Sequence, residues 1–380
     1  MIYFDNGATT FPKPDSVINK MVEFMKTKAA NPGRSGHKMA LDAGRTIFEA
    51  RHEIAQLMNI DNPMNIVFTK NATESINIGI KGYAKKGMHI ISTAMEHNSV
   101  SRPIVALEAK GVTHTFVKCD ENGFLDLDEF EKAFNEKTGL VAITHASNVT
   151  GTVNDLKKIG DICRAHKVPL LVDCAQSAGV FDIDVQQMNI AMLCAPGHKG
   201  LYGPMGTGFI YVREDISLTP LMEGGTGSNS ESLIHPNLMP DHLESGTANA
   251  VGIAGLLEGV RFIQEVGIEK IRKHEQDLTG HLIQGLKQYK NVKIYGPEDP
   301  TKRCAVVSFN IDNTQSTDIS YILDSEFDIE VRSGLHCAAL AHETLGTTAQ
   351  GVVRVSFSYF NTISEVDEFI KIIGQIINIL

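Results

Sequence analysis

The chain has 380 residues, 42% hydrophobic and 21% charged, with a formal net charge of −10. This is the composition of a globular protein long enough for one large domain and a smaller one. The acidic balance without a basic run argues against nucleic acid or an anionic membrane as partner, and no uninterrupted apolar stretch is long enough to span a bilayer.

Met1-Ile-Tyr-Phe-Asp5 carries no basic region before an apolar run, so no signal peptide is expected. Asp15 is placed to cap a first helix whose apolar face would hold Val17, Ile18, Met21, Val22 and Met25. Strands are expected at 65–69, 89–93, 113–119, 139–147, 169–174, 190–195 and 206–212. Several of them are apolar without alternation, the mark of strands covered on both faces. Helical periods lie between them, among them 73–85 and 156–166. Strands alternating with helices imply an α/β fold whose large domain has a mainly parallel, seven-stranded sheet with helices on both sides. After residue 250 the pattern changes. A long helical stretch runs to about 289 with a break near Gly267, then strands are expected at 304–311, 329–332 and 352–358 and a last helix from about Ser364. That is a smaller α+β domain, joined by helix rather than by a flexible linker. The expected division is an N-terminal segment 1–13 packed on the small domain, a large domain 14–262 and a small C-terminal domain 263–380.

The six cysteines stand at 119, 163, 174, 194, 304 and 337. None forms a Cys-x-x-Cys pair, so no zinc site or dithiol motif is expected, and in a chain this long they read as the reduced thiols of a cytoplasmic protein. No metal is expected. A dinucleotide-binding Gly-x-Gly-x-x-Gly turn is absent, which removes support for hydride chemistry.

The densest chemical signal is Pro169-Leu-Leu-Val-Asp173-Cys-Ala-Gln176 followed by Leu193-Cys-Ala-Pro-Gly-His198-Lys199-Gly. Asp173 and Lys199 would each emerge at the carboxyl end of a buried strand, where open α/β sheets bind ligands. Taken singly, Asp173 reads as a strand-end turn residue and Lys199 as a solvated loop lysine. Together they supply what pyridoxal 5'-phosphate (PLP) needs: an amine for a Schiff base and a carboxylate to keep the pyridine nitrogen protonated, so that the ring serves as an electron sink.

Over nearly its whole length, from Tyr3-Phe-Asp-Asn-Gly-Ala-Thr9 to Arg354-Val-Ser-Phe-Ser, the sequence resembles the class V aminotransferases, in particular their cysteine desulfurase and selenocysteine lyase branch and its second desulfurase group. The resemblance implies a PLP enzyme of fold type I. It makes Lys199 the Schiff-base lysine, Asp173 the partner of the pyridine nitrogen and Gln176 the partner of the phenolate oxygen. Lys70-Asn-Ala-Thr73-Glu resembles the phosphate loop, with Thr73 opening a helix whose N-terminus favours an anion. Met95-Glu96-His97-Asn98 would stack His97 on the ring. Asn148, in Thr144-His-Ala-Ser-Asn148, would lie near the cofactor and the substrate carboxylate, and His198 near the phosphate. Glu244-Ser-Gly-Thr247 resembles the segment that the neighbouring subunit lends to the phosphate site, which implies a homodimer. Two positions depart from the pattern: Pro196 and Ala72 stand where the family often has a hydroxyl. Losing two neutral hydrogen bonds weakens binding by about 1 kcal/mol each.

At the substrate end, Val331-Arg332-Ser-Gly-Leu-His336-Cys337 resembles the desulfurase cysteine loop, with Cys337 taking the substrate sulfur as a persulfide. Arg354 matches the arginine that binds the substrate carboxylate, a job suited to a planar two-pronged donor. Arg34 is expected near the site entrance. A free cysteine is usually a small core residue, but the flanks of Cys337 read as a loop, whereas the other five read as core. The leading expectation is L-cysteine desulfurase, yielding L-alanine and passing sulfur to an acceptor protein. Selenocysteine lyase, with a selenium acceptor, shares the same cofactor chemistry. Another class V reaction (β-elimination or transamination) and a non-catalytic PLP-holding regulator remain as alternatives.

Overall fold

Seven strands carry runs such as Leu170-Leu-Val and Met192-Leu-Cys-Ala, in which every residue is buried. The computed structural model, which describes residues 1–32 and 36–379, pairs them in the order Ile66–Thr69, Gly208–Val212, Met192–Pro196, Leu170–Asp173, Thr138–Thr144, His89–Thr93, Thr113–Val117. The last five run parallel, and Gly208–Val212 is antiparallel to both its neighbours. Alternate residues feed two cores: Leu170, Val172 and Leu193 face one side, Leu171, Met192 and Cys194 the other. This is the sandwich of helices on a mainly parallel sheet expected from the unalternating strands.

Helix Ala250–Val266 leads directly into Ile268–Leu286 across Gly267, whose φ of 89° only glycine adopts without strain. Beyond it lies an antiparallel sheet in the order Arg332–Gly334, Val352–Ser356, Val306–Ile311, Val292–Tyr295. It packs on Ile268–Leu286 and Ile363–Ile379 through Leu278, Leu282, Phe309, Val355 and Phe369. Ile2–Tyr3 pairs with Ile329–Glu330, and Ile2 and Phe4 enter the same core.

Three expectations need correction. Asp15 is the first residue of helix Asp15–Thr27 rather than its cap. The cap position is Pro14, with no side-chain bond. The inward stripe of that helix is Val17 and Phe24, while Ile18, Val22 and Met25 are 50%, 38% and 53% exposed. Two apolar stripes lie side by side on this helix, and Ala250–Val266, packed against it together with Ala43 and Ile47 at Phe24, covers only the first. The strand expected at 329–332 is two short strands in different sheets, Ile329–Glu330 and Arg332–Gly334. Helix Lys38–Leu57 was not expected from the sequence, and Asn98–Ala106 falls between two strands, as expected, without having been located individually. No helix among the described residues is long and apolar enough to cross a membrane.

Candidate functional site

The parallel strands all end along one edge of the sheet, and residues at or just after those ends enclose a cleft with an empty volume of about 510 Å³. Asp173 closes its strand, in register with Thr144 on one side and Cys194 on the other. Lys199 follows the end of Met192–Pro196. Thr73, His97 and Asn148 line the same cleft, as do Gln176 and His198. Eight expected residues thus divide cleanly: seven meet in one cleft, and Thr247 does not. Thr247 lines a separate hollow of about 1480 Å³ beside Phe48, Arg51 and Glu244. Arg34 lies outside the described residues.

Asp173 is 3% exposed, and its Oδ1 accepts from Ala175 N at 2.9 Å. Burial raises its pKa, against the opposing pull of the Ala175 amide and the Lys199 charge. A carboxylate so placed gains most from a cation brought against it. Burial also lowers the Lys199 amine to about 8, helped by Arg354 and opposed by Asp173. The neutral amine is the form that attacks an aldehyde, and a pKa of about 8 makes far more of it available near physiological pH than an ordinary lysine would have. His97 caps helix Asn98–Ala106, its Nδ1 accepting from Ser99 N at 3.1 Å. Burial, then Lys199, pushes its pKa down to about 4, so the ring is neutral. Thr73 sits in the first turn of Ala72–Tyr83, which Asn71 caps through Glu74 N at 2.9 Å. The open amides of that turn favour an anion. Gln176 Nε2 donates to Gly7 O at 3.0 Å. The buried His198 Nδ1 has no partner among the described residues, and the His198 carbonyl accepts from Thr10 N and from Lys13 Nζ.

Cys337 and Arg354 stand beyond the cleft wall and are tied to it by Asn148. Asn148 Nδ2 donates to His336 O at 2.8 Å, and Arg354 Nη1 donates to Asn148 O at 3.2 Å. Asn98 N also donates to Cys337 O at 2.7 Å, fastening the cysteine loop to the segment that carries His97. Cys337 is exposed, whereas Cys163, Cys174, Cys194 and Cys304 are buried and Cys119 is partly so. His336 and Cys337 both have positive φ, 47° and 56°, a conformation that holds non-glycine residues only where surrounding contacts impose it. Arg354 is 1% exposed. Its Nη2 bonds Asp5 at 2.8 Å, and its Nε has no partner among the described residues. Gly7 lets the N-terminal segment approach: a Cβ there would lie 3.2 Å from Arg354 Cζ.

Sequence reasoning assigned no role to four residues that belong here. Asp5 pairs with Arg354. Arg332 Nη2 lies 3.8 Å from Cys337 Sγ. Ser99 lines the cleft. Glu96 is wholly buried, its Oε1 held by Thr93 Oγ1 and Thr144 N while Oε2 has no partner among the described residues. Asp5, Arg332 and Glu96 lay inside motifs already quoted, but only the fold shows what each touches.

A buried carboxylate, an amine whose pKa burial lowers toward neutrality, an imidazole and an anion-favouring helix end, gathered at the carboxyl edge of a mainly parallel sheet, define a PLP enzyme of fold type I. The chain belongs to the family Aminotransferase class-V, matching it over residues 2–369. Members of that family are PLP-dependent, and the donor set of the cleft fits that cofactor. The chain is 39% identical over 372 residues to a probable cysteine desulfurase of Methanothermobacter thermautotrophicus, covering 96% of this chain and 92% of the relative. It is 35% identical over 392 residues to a probable cysteine desulfurase of Pyrococcus abyssi, covering 100% and 95%. The apo structure of a cysteine desulfurase from Thermococcus onnurineus superimposes with a TM-score of 0.95 at 34% identity, covering 100% of this chain and 95% of that one.

Proposed function

We propose that this protein is a PLP-dependent cysteine desulfurase that converts L-cysteine to L-alanine and takes the sulfur onto Cys337. The observation that carries the reading is an exposed cysteine on a strained loop, bonded through Asn98 and Asn148 to the cleft that holds Asp173 and Lys199. The relatives and solved structure named above support it. A transaminase has no use for such a thiol.

Residue roles follow from chemistry and place. Lys199 would hold PLP covalently, Asp173 would pair with the pyridine nitrogen, His97 would stack on the ring, and Gln176 and Asn148 would face its oxygen. Thr73 and His198 would meet the phosphate, with Thr247 arriving from a second subunit. Bound PLP supplies an electron sink for charge developing at the substrate Cα. Arg354, aided by Asn148, orients the substrate through its α-carboxylate. By the resemblance to the family, Arg34 would add to substrate binding. Lys199, released as a free amine, takes the Cα proton and later returns one. Cys337, as thiolate, attacks the substrate sulfur: the Sγ–S bond forms as the S–Cβ bond breaks, leaving a persulfide on Cys337 and alanine as product.

The division into segments 1–13, 14–262 and 263–380 puts the cysteine loop and Arg354 on one domain and the PLP residues on the other. Homodimerisation is part of the reading. It is supported by Thr247 standing outside its own chain's cleft and by the exposed Ile18, Met25, Phe48 and Leu233. Six free cysteines fit a reducing, cytoplasmic setting. The exposure of Cys337 lets an acceptor protein reach the persulfide. A selenocysteine lyase, built on the same cofactor chemistry, is the alternative reading.

The test is Cys337→Ala. The variant keeps PLP, still shows a spectral change with L-cysteine and releases almost no sulfide, while wild-type protein briefly exposed to cysteine carries one added sulfur on the Cys337 peptide. Selenide release from selenocysteine survives in part, because selenium leaves more readily. Wild-type sulfide release by the variant, with no sulfur on Cys337, would defeat the proposal.

A further inference from the structure

One end of the cleft is built by the first turns of helices Ala72–Tyr83 and Asn98–Ala106, and a chain of three polar side chains crosses it. Thr73 Oγ1 and Ser99 Oγ are 2.8 Å apart, and Ser99 Oγ and His97 Nδ1 are 2.9 Å apart. All three line the cleft. Because His97 is the helix cap, its Nδ1 also accepts from Ser99 N at 3.1 Å. That assigns the proton of the neutral ring to Nε2. Ser99 therefore holds the imidazole twice, through its amide and through its hydroxyl.

The remaining hydroxyl in the cleft lining, Thr144, is engaged with Ala146 O at 3.0 Å. Pro196 and Ala72 line the cleft with no hydroxyl to offer. Among the described residues of the cleft lining, Thr73 and Ser99 are thus the two hydroxyls available at the helix ends, and they are bonded to each other. Each has one proton and can accept from the other. When the Ser99 proton goes to Thr73, the proton of Thr73 is free for an anion. When it goes to Nδ1, Thr73 donates to Ser99 and offers an anion only lone pairs. An anion at the helix ends favours the first arrangement, and the backbone bond from Ser99 N keeps the imidazole in place as the hydroxyl turns away.

We propose that Ser99 is a positioning residue for the cofactor: its hydroxyl accommodates that of Thr73 so that Thr73 donates to the PLP phosphate, while its backbone amide, which Ser99→Ala keeps, anchors His97 against the ring. This rests on the reading that the phosphate lies at the Thr73 end of the cleft. Ser99 acts through Thr73 and His97 and is not itself required for the chemistry at the substrate.

The experiment uses the full-length protein stripped of cofactor and titrated by absorbance with PLP and, separately, with pyridoxal, which lacks the phosphate. Ser99→Ala raises the Kd for PLP roughly 3- to 10-fold, the size of one hydrogen bond, and leaves the Kd for pyridoxal unchanged. Thr73→Ala weakens PLP comparably. The double variant is no weaker than the weaker single variant to within about twofold, because the two hydroxyls act as one unit. Thermal melting of the apoproteins checks that Ser99→Ala folds normally. An unchanged PLP affinity in Ser99→Ala, an equal loss for PLP and pyridoxal, or multiplicative losses in the double variant would each overturn the proposal. Failure of the underlying cofactor reading looks different: wild-type protein itself would not bind PLP, or borohydride would fix it to a lysine other than Lys199.

Discussion

Arg354→Lys tests the substrate end of the site most sharply, because the structure asks Arg354 to do two things at once. Its guanidinium is 1% exposed, holds Asp5 at 2.8 Å and Asn148 O at 3.2 Å, and has an Nε with no partner among the described residues. Burial lowers its pKa, offset by Asp5. Lysine keeps the charge and one bond to Asp5, but a single ammonium cannot span both oxygens of a substrate carboxylate while serving Asp5 and Asn148. A hydrogen bond to a charged group is worth about 1.5–3 kcal/mol, so losing one prong should lower kcat/KM roughly 10- to 150-fold. Most of the loss should fall in KM, since the carboxylate is held throughout the reaction. The stability effect should stay below the roughly 3–5 kcal/mol of a broken buried pair, because Asp5 keeps 22% of its side chain exposed and lysine remains charged. The assay is alanine formation over a range of L-cysteine concentrations, with Asp5→Asn as control. That variant retains an acceptor for Arg354 and should change KM little. A KM for Arg354→Lys within about twofold of wild type, or an equal loss in Asp5→Asn, would refute carboxylate binding by Arg354.

The Lys199 amine at about 8 predicts that apoprotein takes up PLP at a rate rising with pH through about 8 rather than 10.5, followed by absorbance. In Asp173→Asn that midpoint moves down, because Asp173 raises the Lys199 pKa. Burial, opposed by the bonds from Thr93 and Thr144, pushes Glu96 up from 4.5 to about 8, with Asp173 adding to the rise. The folded state therefore holds a proton that the unfolded state has released between those values, so the stabilisation is complete below 4.5 and is lost as pH rises through 8. Glu96→Gln should flatten that part of the apoprotein's stability–pH curve in denaturant titrations at pH 5 and pH 8, and an unaltered slope would mean that Glu96 ionises normally. Phe48→Asp places a charge beside Thr247 on a surface assigned to the second subunit. It should give a monomer in sedimentation velocity with poor PLP retention, and a stable dimer of wild-type affinity would remove that face from the interface.

The strands ending at Asp173 and Pro196 were legible in the sequence because a strand buried on both faces is written as an unbroken apolar run, and the residues that follow carry the chemistry within a few positions of its end. The break at Gly267 was legible for the same local reason: one residue in a helical period needs a conformation only glycine adopts easily. Cys337 and Arg354 were recognisable from their neighbours, but their link to the cleft runs through Asn148, nearly two hundred positions away along the chain. Asp5 against Arg354, and Ser99 between Thr73 and His97, are likewise pairings that no spacing encodes. The face of helix Asp15–Thr27 was misread because Val17 and Phe24 differ from Ile18 and Met25 only in which stripe meets Ala250–Val266. Hydrophobic periodicity records that a side chain prefers to be covered. Which stripe is covered, which carboxylate meets which guanidinium, and which loop closes on which strand end are decided when distant segments pack, because those contacts are made by tertiary geometry and not by neighbours in the chain.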